Sequence, residues 1–231
     1  MAFCRMCNAE LKRDLNWSQS NYLGPHYVCN KCMSAWGANH RLLIRQRAIA
    51  VLGGKCAICG EPKPDFLTFG HLKHDGVRWR LAHNASAQTA STWIAKHPAR
   101  AKGVFQLECF NCNYSKEYRN TNADYHAVPR YIDGKVNPEY QKRLNVYWRN
   151  IFFDHYGAKC SCCGDADITH LTVGHPNSDG LAHRRLEKAG GARLYRKISR
   201  NGYRAQFEIE VQCWNCNCGS LRTNGTCPHK P

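Results

Sequence analysis

The chain has 231 residues, with 33 Lys and Arg against 17 Asp and Glu, 15 cysteines and a formal charge of +16. That length holds one large domain or two to three small ones. The absence of an apolar run of about twenty residues, a secretory leader or a lipidation signal argues against a membrane-bound or disulfide-built secreted chain and for a reducing, cytoplasmic compartment.

Twelve of the cysteines fall into six Cys-x2-Cys pairs. A tight turn can present both sulfurs of such a pair to one ion, and structural zinc takes four soft ligands in a tetrahedron. The pairs therefore predict three zinc sites, which supply folding energy where a core is small. Each four-thiolate site carries about −2, so three would still leave a charge of about +10. A polyanion, nucleic acid first, is the expected partner, with no membrane.

Residues 1–40 hold the first site, Cys4, Cys7, Cys29 and Cys32. A turn is expected at Gly24-Pro25 with a short strand after it. Beyond Cys32 the pattern turns helical, with Leu42, Ile44, Ala48, Val51 and Leu52 among arginines. Knuckle, hairpin, knuckle and helix is the order of a treble-clef finger.

Residues 41–120 form the next module, with Cys56, Cys59, Cys109 and Cys112 as ligands. A strand at 66–69 leads to Gly70-His71 and a polar loop, followed by a looser insert containing His83, Trp93, Ile94 and Lys96. A second strand at 104–108 then enters C-F-N-C-N and a short helix. Residues 121–139 are rich in turn formers and read as a linker.

Residues 140–231 repeat the module. Cys56, Cys59, His71, Cys109, Cys112 and Asn113 each recur 104 residues later, as Cys160, Cys163, His175, Cys213, Cys216 and Asn217. Six distinctive residues kept in register indicate an internal duplication. Leu144, Tyr147, Trp148, Ile151 and Phe152 place one apolar face on an introducing helix. Arg193, Arg196, Lys197 and Arg200 share a face of a later helix and, with Arg204, are the candidate phosphate contacts. Phe207, Ile209 and Val211 alternate with polar residues as a half-buried strand. Cys162, Cys218, Cys227 and His229 are left without a role.

The two Cys-x2-Cys knuckles, the strand ending in Gly-His and the closing C-x-x-C-N resemble the HNH, or ββα-metal, nucleases. Within them the likeness is to the recombination endonuclease VII-like group, phage-type. It covers roughly 41–120 and 140–229. The resemblance implies an α+β fold of small zinc-stabilised modules: a treble-clef finger followed by two ββα-metal, HNH-like domains. It implies phosphodiester hydrolysis, with DNA ahead of RNA as the expected nucleic acid. His71 and His175 would be general bases, with Asn113 and Asn217 helping to hold Mg²⁺ or Mn²⁺. The sequence departs from the family just before each base, where a metal-binding Asp is replaced by Gly70 and Gly174. Asp75 and Asp179, four residues beyond each His, are possible substitutes. The alternative is a non-catalytic DNA- or RNA-binding or assembly factor built on degenerate nuclease modules.

Overall fold

The computed structural model describes residues 1–13, 15–18, 27–83, 87–119, 138–223 and 225–229. They form two compact units, Met1–Gly53 with His71–Phe105 and Gly54–Gly70 with Gln106–Pro231. The expected Gly24-Pro25 turn, and all of the expected linker but its last two residues, lie outside the described residues. The architecture is mixed: helices with small two-stranded sheets, and cysteine groups that could bind zinc.

In the first unit, β1 (Ala2–Phe3) pairs antiparallel with β2 (Glu10–Leu11). The strand expected after the turn does not form at Tyr27 and Val28. Cys4, Leu11, Trp17 and Cys29 bury a small core. Helix α1 (Asn30–Val51) starts inside the second knuckle, where the Cys29 sulfur accepts from the Cys32 N–H and serves as its N-cap. The helix is anchored by buried Ala48 and Ile49, whereas Leu42 is 52% exposed. The expected apolar face thus narrows to the helix's last turns.

The loose insert proves helical: α2 (Gly76–Ala82), α3 (Ala87–Lys96) and α4 (Pro98–Ala101). Pro98 sits at the first turn of α4, where its missing N–H costs nothing. Helix α3 packs on α1, and its Ala90, Ile94 and Ala95 are buried. Alanine favours the helix intrinsically, and it lets the two helices approach closely.

The second unit holds the knuckles of both repeats. Strand β3 (Leu67–His71) pairs with β4 (Phe105–Cys109), and α5 (Phe110–Arg119) follows directly. After α6 (Pro138–Tyr156), β5 (Leu171–Gly174) pairs antiparallel with β6 (Glu210–Cys213). The connection between those strands carries α7 (Gly180–Glu187) and α8 (Ala192–Arg200), and α9 (Trp214–Ser220) follows β6. The face of α6 is rotated from expectation. Val146, Arg149, Asn150 and Phe153 are buried with Phe152, while Leu144, Tyr147, Trp148 and Ile151 are only partly covered. A buried Arg149 explains the shift: its guanidinium donates to the Leu171 carbonyl at 2.8 Å and to that of Ile168, and lies over the Phe153 ring.

The repeats meet through a reciprocal pair. The N–H of Asn111 donates to Oδ1 of Asn215 at 3.0 Å, and the N–H of Asn215 donates to Oδ1 of Asn111 at 2.8 Å. Each asparagine is the second residue of its helix, where a backbone N–H has no intrahelical acceptor. Each repeat therefore caps the helix of the other. Tyr114 packs on Trp214 nearby, and Arg222 donates to the Leu67 carbonyl at 2.7 Å. Gly219 is obligatory here, since a Cβ would stand 2.6 Å from the Phe66 ring.

Replacing Asn215 by Ala leaves the buried Asn111 N–H without its acceptor. The expected loss is about 1–3 kcal/mol, read as a lower urea midpoint in zinc-containing buffer. Asn215→Asp, which keeps an acceptor oxygen, should lose less.

Candidate metal centres and the cleft of the second repeat

The three expected cysteine quartets are assembled as groups whose ligand atoms all lie within 4.8 Å of one another. Sγ···Sγ separations include 3.7 Å for Cys7–Cys29, 3.7 Å for Cys59–Cys109 and 3.8 Å for Cys163–Cys213. A tetrahedron with metal–sulfur distances of about 2.3 Å has edges of about 3.8 Å. None of the fifteen cysteines is tied up in a disulfide. The donor set fits zinc.

The local backbone explains how one turn delivers two sulfurs. Asn8, Gly60 and Gly164 follow the first knuckle of each quartet at positive φ, 57°, 78° and 77°. Each donates its N–H back to the carbonyl of the leading cysteine, Cys4, Cys56 or Cys160. The second knuckle of each quartet opens a helix, and its N–H groups point at sulfur: Cys32 to Cys29, Cys112 to Cys109, Cys216 to Cys213. Such donors favour the thiolate. Hydrogen bonding from the Cys112 side chain, ahead of the opposing effect of burial, pulls the Cys109 thiol down to about 5.

A fourth group joins them. Cys162, Cys216, Cys227 and His229 bring their ligand atoms within the same 4.8 Å limit. Sequence reasoning assigned no role to Cys162, Cys227 or His229. Their spacing in the chain is irregular, and the C-terminal segment must fold back before they meet.

His71 and His175 are in different settings. In the first unit, His71 packs between the rings of Phe105, at 4.5 Å, and Trp79, at 5.4 Å, within a cluster that includes His83 and Trp93. Asn113 lies on α5 in the other unit. In the second repeat, His175 and Asn217 line one cleft of about 640 Å³, together with Arg184 and Glu210. The Asn217 amide donates to the Val173 carbonyl at 3.0 Å. The imidazole Nε2 of His175 is 2.8 Å from Nδ1 of His183, a partner that sequence reasoning missed. Residue 183 corresponds across the duplication to Trp79, so no repeated signal marked it.

The glycines before each His lie against residues of the neighbouring strand. A Cβ on Gly70 would fall 2.4 Å from the Glu108 carboxylate, and one on Gly174 would fall 2.6 Å from the Gln212 amide carbon. Glu108 is wholly buried and paired with Lys116. The side chain of Gln212 donates to Glu210 at 2.6 Å, and Ser161 donates to the same carboxylate at 2.5 Å. Asp179 influences both histidines electrostatically. Even so, among the described residues the only groups of three or more His, Cys, Asp or Glu with ligand-like spacing are the four cysteine-rich ones. These groups are rich in sulfur, which suits zinc, and lend no support of their own to a catalytic Mg²⁺ or Mn²⁺, a hard ion that takes oxygen ligands.

Of the candidate phosphate contacts, Arg193, Lys197, Arg200 and Arg204 are exposed and Arg196 is partly so. Lys197 is held by the Glu187 carbonyl and carboxylate, and the Arg200 guanidinium lies over the Trp148 ring. Helix α7 and its C-cap add residues that sequence reasoning did not single out: Arg184, Arg185 and the C-cap Lys188 line one open groove with Arg193.

Burial, and then the charge of His183, push the His175 pKa below 6.5, and burial also lowers that of His183. The unfolded chain therefore takes up these protons first, and their contribution to stability is lost as pH falls through and below 6.5. Long-range ¹H–¹⁵N spectra should show His175 titrating below 6.5, with its midpoint moving up in His183→Asn.

No helix among the described residues is long and apolar enough to cross a membrane. The chain matches no family model, no curated protein and no solved structure.

Proposed function

We propose that the protein is a nucleic-acid-binding zinc protein that grips the phosphate backbone without cutting it. The observation that carries this reading is the groove lined by Arg184, Arg185, Lys188 and Arg193 at the junction of α7 and α8. Arg196 extends the cationic surface along α8, where Leu194, Tyr195 and Ile198 anchor the opposite face in the core. A rigid helix with cations on one side can follow a phosphate backbone at little entropic cost, and the high overall charge adds long-range attraction. The crowding at Gly70 and Gly174 supports binding over cleavage. The room beside these glycines, which a metal-binding carboxylate of their own would need, is taken by Glu108 and Gln212.

Binding should be salt-sensitive, and removing one phosphate-binding cation should make the slope of log K against log salt shallower by about 0.9 on duplex DNA. Fluorescence anisotropy on DNA and RNA of several unrelated sequences, with Arg185→Ala, Lys188→Ala and Arg193→Ala, measures this directly. Weakening by a similar factor on every sequence is the expected result. Unchanged affinity in all three variants would remove this surface from consideration.

A second reading rests on the His175–Asn217 cleft. There His175, kept neutral by burial, would accept a proton from an attacking water while Arg184 held the phosphate. Incubation of supercoiled plasmid with the wild-type protein, with and without Mg²⁺ or Mn²⁺, separates the two. The expectation is binding without nicking. Nicking abolished in His175→Ala but retained in His71→Ala would instead establish an endonuclease acting from the second repeat alone.

A further inference from the structure

We propose that the second repeat holds two zinc ions rather than one, with the Cys216 sulfur bridging them. Cys216 belongs at once to the quartet with Cys160, Cys163 and Cys213 and to the group with Cys162, Cys227 and His229. Its sulfur is 3.1 Å from Nδ1 of His229, and the Cys227 sulfur is 3.7 Å from the same nitrogen. Tetrahedral zinc, with bonds of about 2.3 Å to sulfur and about 2.05 Å to nitrogen, has such edges at about 3.6 Å, a length the Cys227–His229 pair meets and the Cys216–His229 pair reaches by a small outward shift of the imidazole. The backbone N–H of His229 also points at the Cys227 sulfur, at 3.5 Å. It is an N–H···S contact of the kind made at the second knuckle of each quartet, here from two residues on rather than three.

Charge favours the bridged arrangement. One ion would leave Cys162 and Cys227 as additional sulfurs crowded against an already complete quartet. Two ions shared among six thiolates and a neutral imidazole carry a net charge of about −2, the same as a single four-cysteine site. A thiolate keeps lone pairs enough to bind both ions, and both coordination shells are then filled. The second ion is structural, with no position open to substrate.

The first repeat lacks this device. The position equivalent to Cys162 is Ile58, and only the second repeat is followed by the Cys227-Pro228-His229 segment. In the second unit that segment lies against the first repeat: His229 packs on Phe66, with ring centroids 4.6 Å apart, and the Pro228 carbonyl accepts from Lys63 Nζ at 3.0 Å. Gly225, Thr226 and Cys227 also help line the cleft that contains His175 and Asn217. The second ion therefore fastens the C-terminal segment across both repeats and holds one wall of the cleft.

The full-length protein, reconstituted with ¹¹³Cd²⁺, is expected to give four ¹¹³Cd resonances. Two of them should be split by scalar coupling through the shared sulfur. Elemental analysis of the zinc protein should give four equivalents. Cys227→Ser and His229→Gln should each remove one resonance and the coupling while leaving the signals of the N-terminal and first-repeat sites in place. Cys218→Ser, outside all four groups, should change nothing. Three resonances in the wild-type protein, or four without coupling, would overturn the bridge without bearing on whether nucleic acid is bound.

Discussion

The convergence of four thiol sulfurs on one point is the constraint from which the rest of this structure follows. Each quartet ties a hairpin turn to the N-terminus of a helix, so one centre fixes the positions of two backbone elements. The sheets are only two-stranded, and such short pairings are marginal in water without further support. A metal held tetrahedrally by each quartet would supply that support and set the angle between knuckle and helix. The apolar core can then remain local: Leu11 and Trp17 beside the first centre, and Leu67, Leu107, Leu171 and Val211 beneath the hairpins.

Duplication preserved this scaffold while the surfaces around it diverged. Gln106 and Glu108 on β4 become Glu210 and Gln212 on β6, so the same amide–carboxylate hydrogen bond survives with its partners exchanged. The buried carboxylate of the first repeat requires Lys116; the second repeat has a neutral amide there and Ser220 in place of the lysine. Trp79 and His183 occupy equivalent positions, and the exchange puts a buried histidine against His175, which itself lines the cleft. The cleft that holds His175 and the basic groove both belong to the second repeat.

Much of this was legible in the chain. The twelve paired cysteines and their 104-residue recurrence located all three quartets, because Cys-x2-Cys spacing is a local geometric requirement that a turn satisfies by itself. The amphipathic helix bearing Arg193, Arg196, Lys197 and Arg200 was equally plain, since helical periodicity depends on near neighbours alone. The α6 face was misjudged because a long polar side chain, Arg149, can be buried when distant carbonyls receive it, and periodicity counts arginine as polar. The insert at 76–101 read as loose because its short helices are held by aromatic packing between segments rather than by one continuous stripe.

The sequence alone determined the candidate metal ligands, the repeat and the cationic character, all of which reside in residue type and short spacing. Only the tertiary structure decided which residues meet across long separations. It set Asn111 against Asn215, brought His183 to His175, filled the room beside Gly70 and Gly174 from the adjacent strand, and carried Cys227 and His229 back to Cys162 and Cys216. These meetings depend on how the chain closes on itself, and no local pattern of residues encodes that closure.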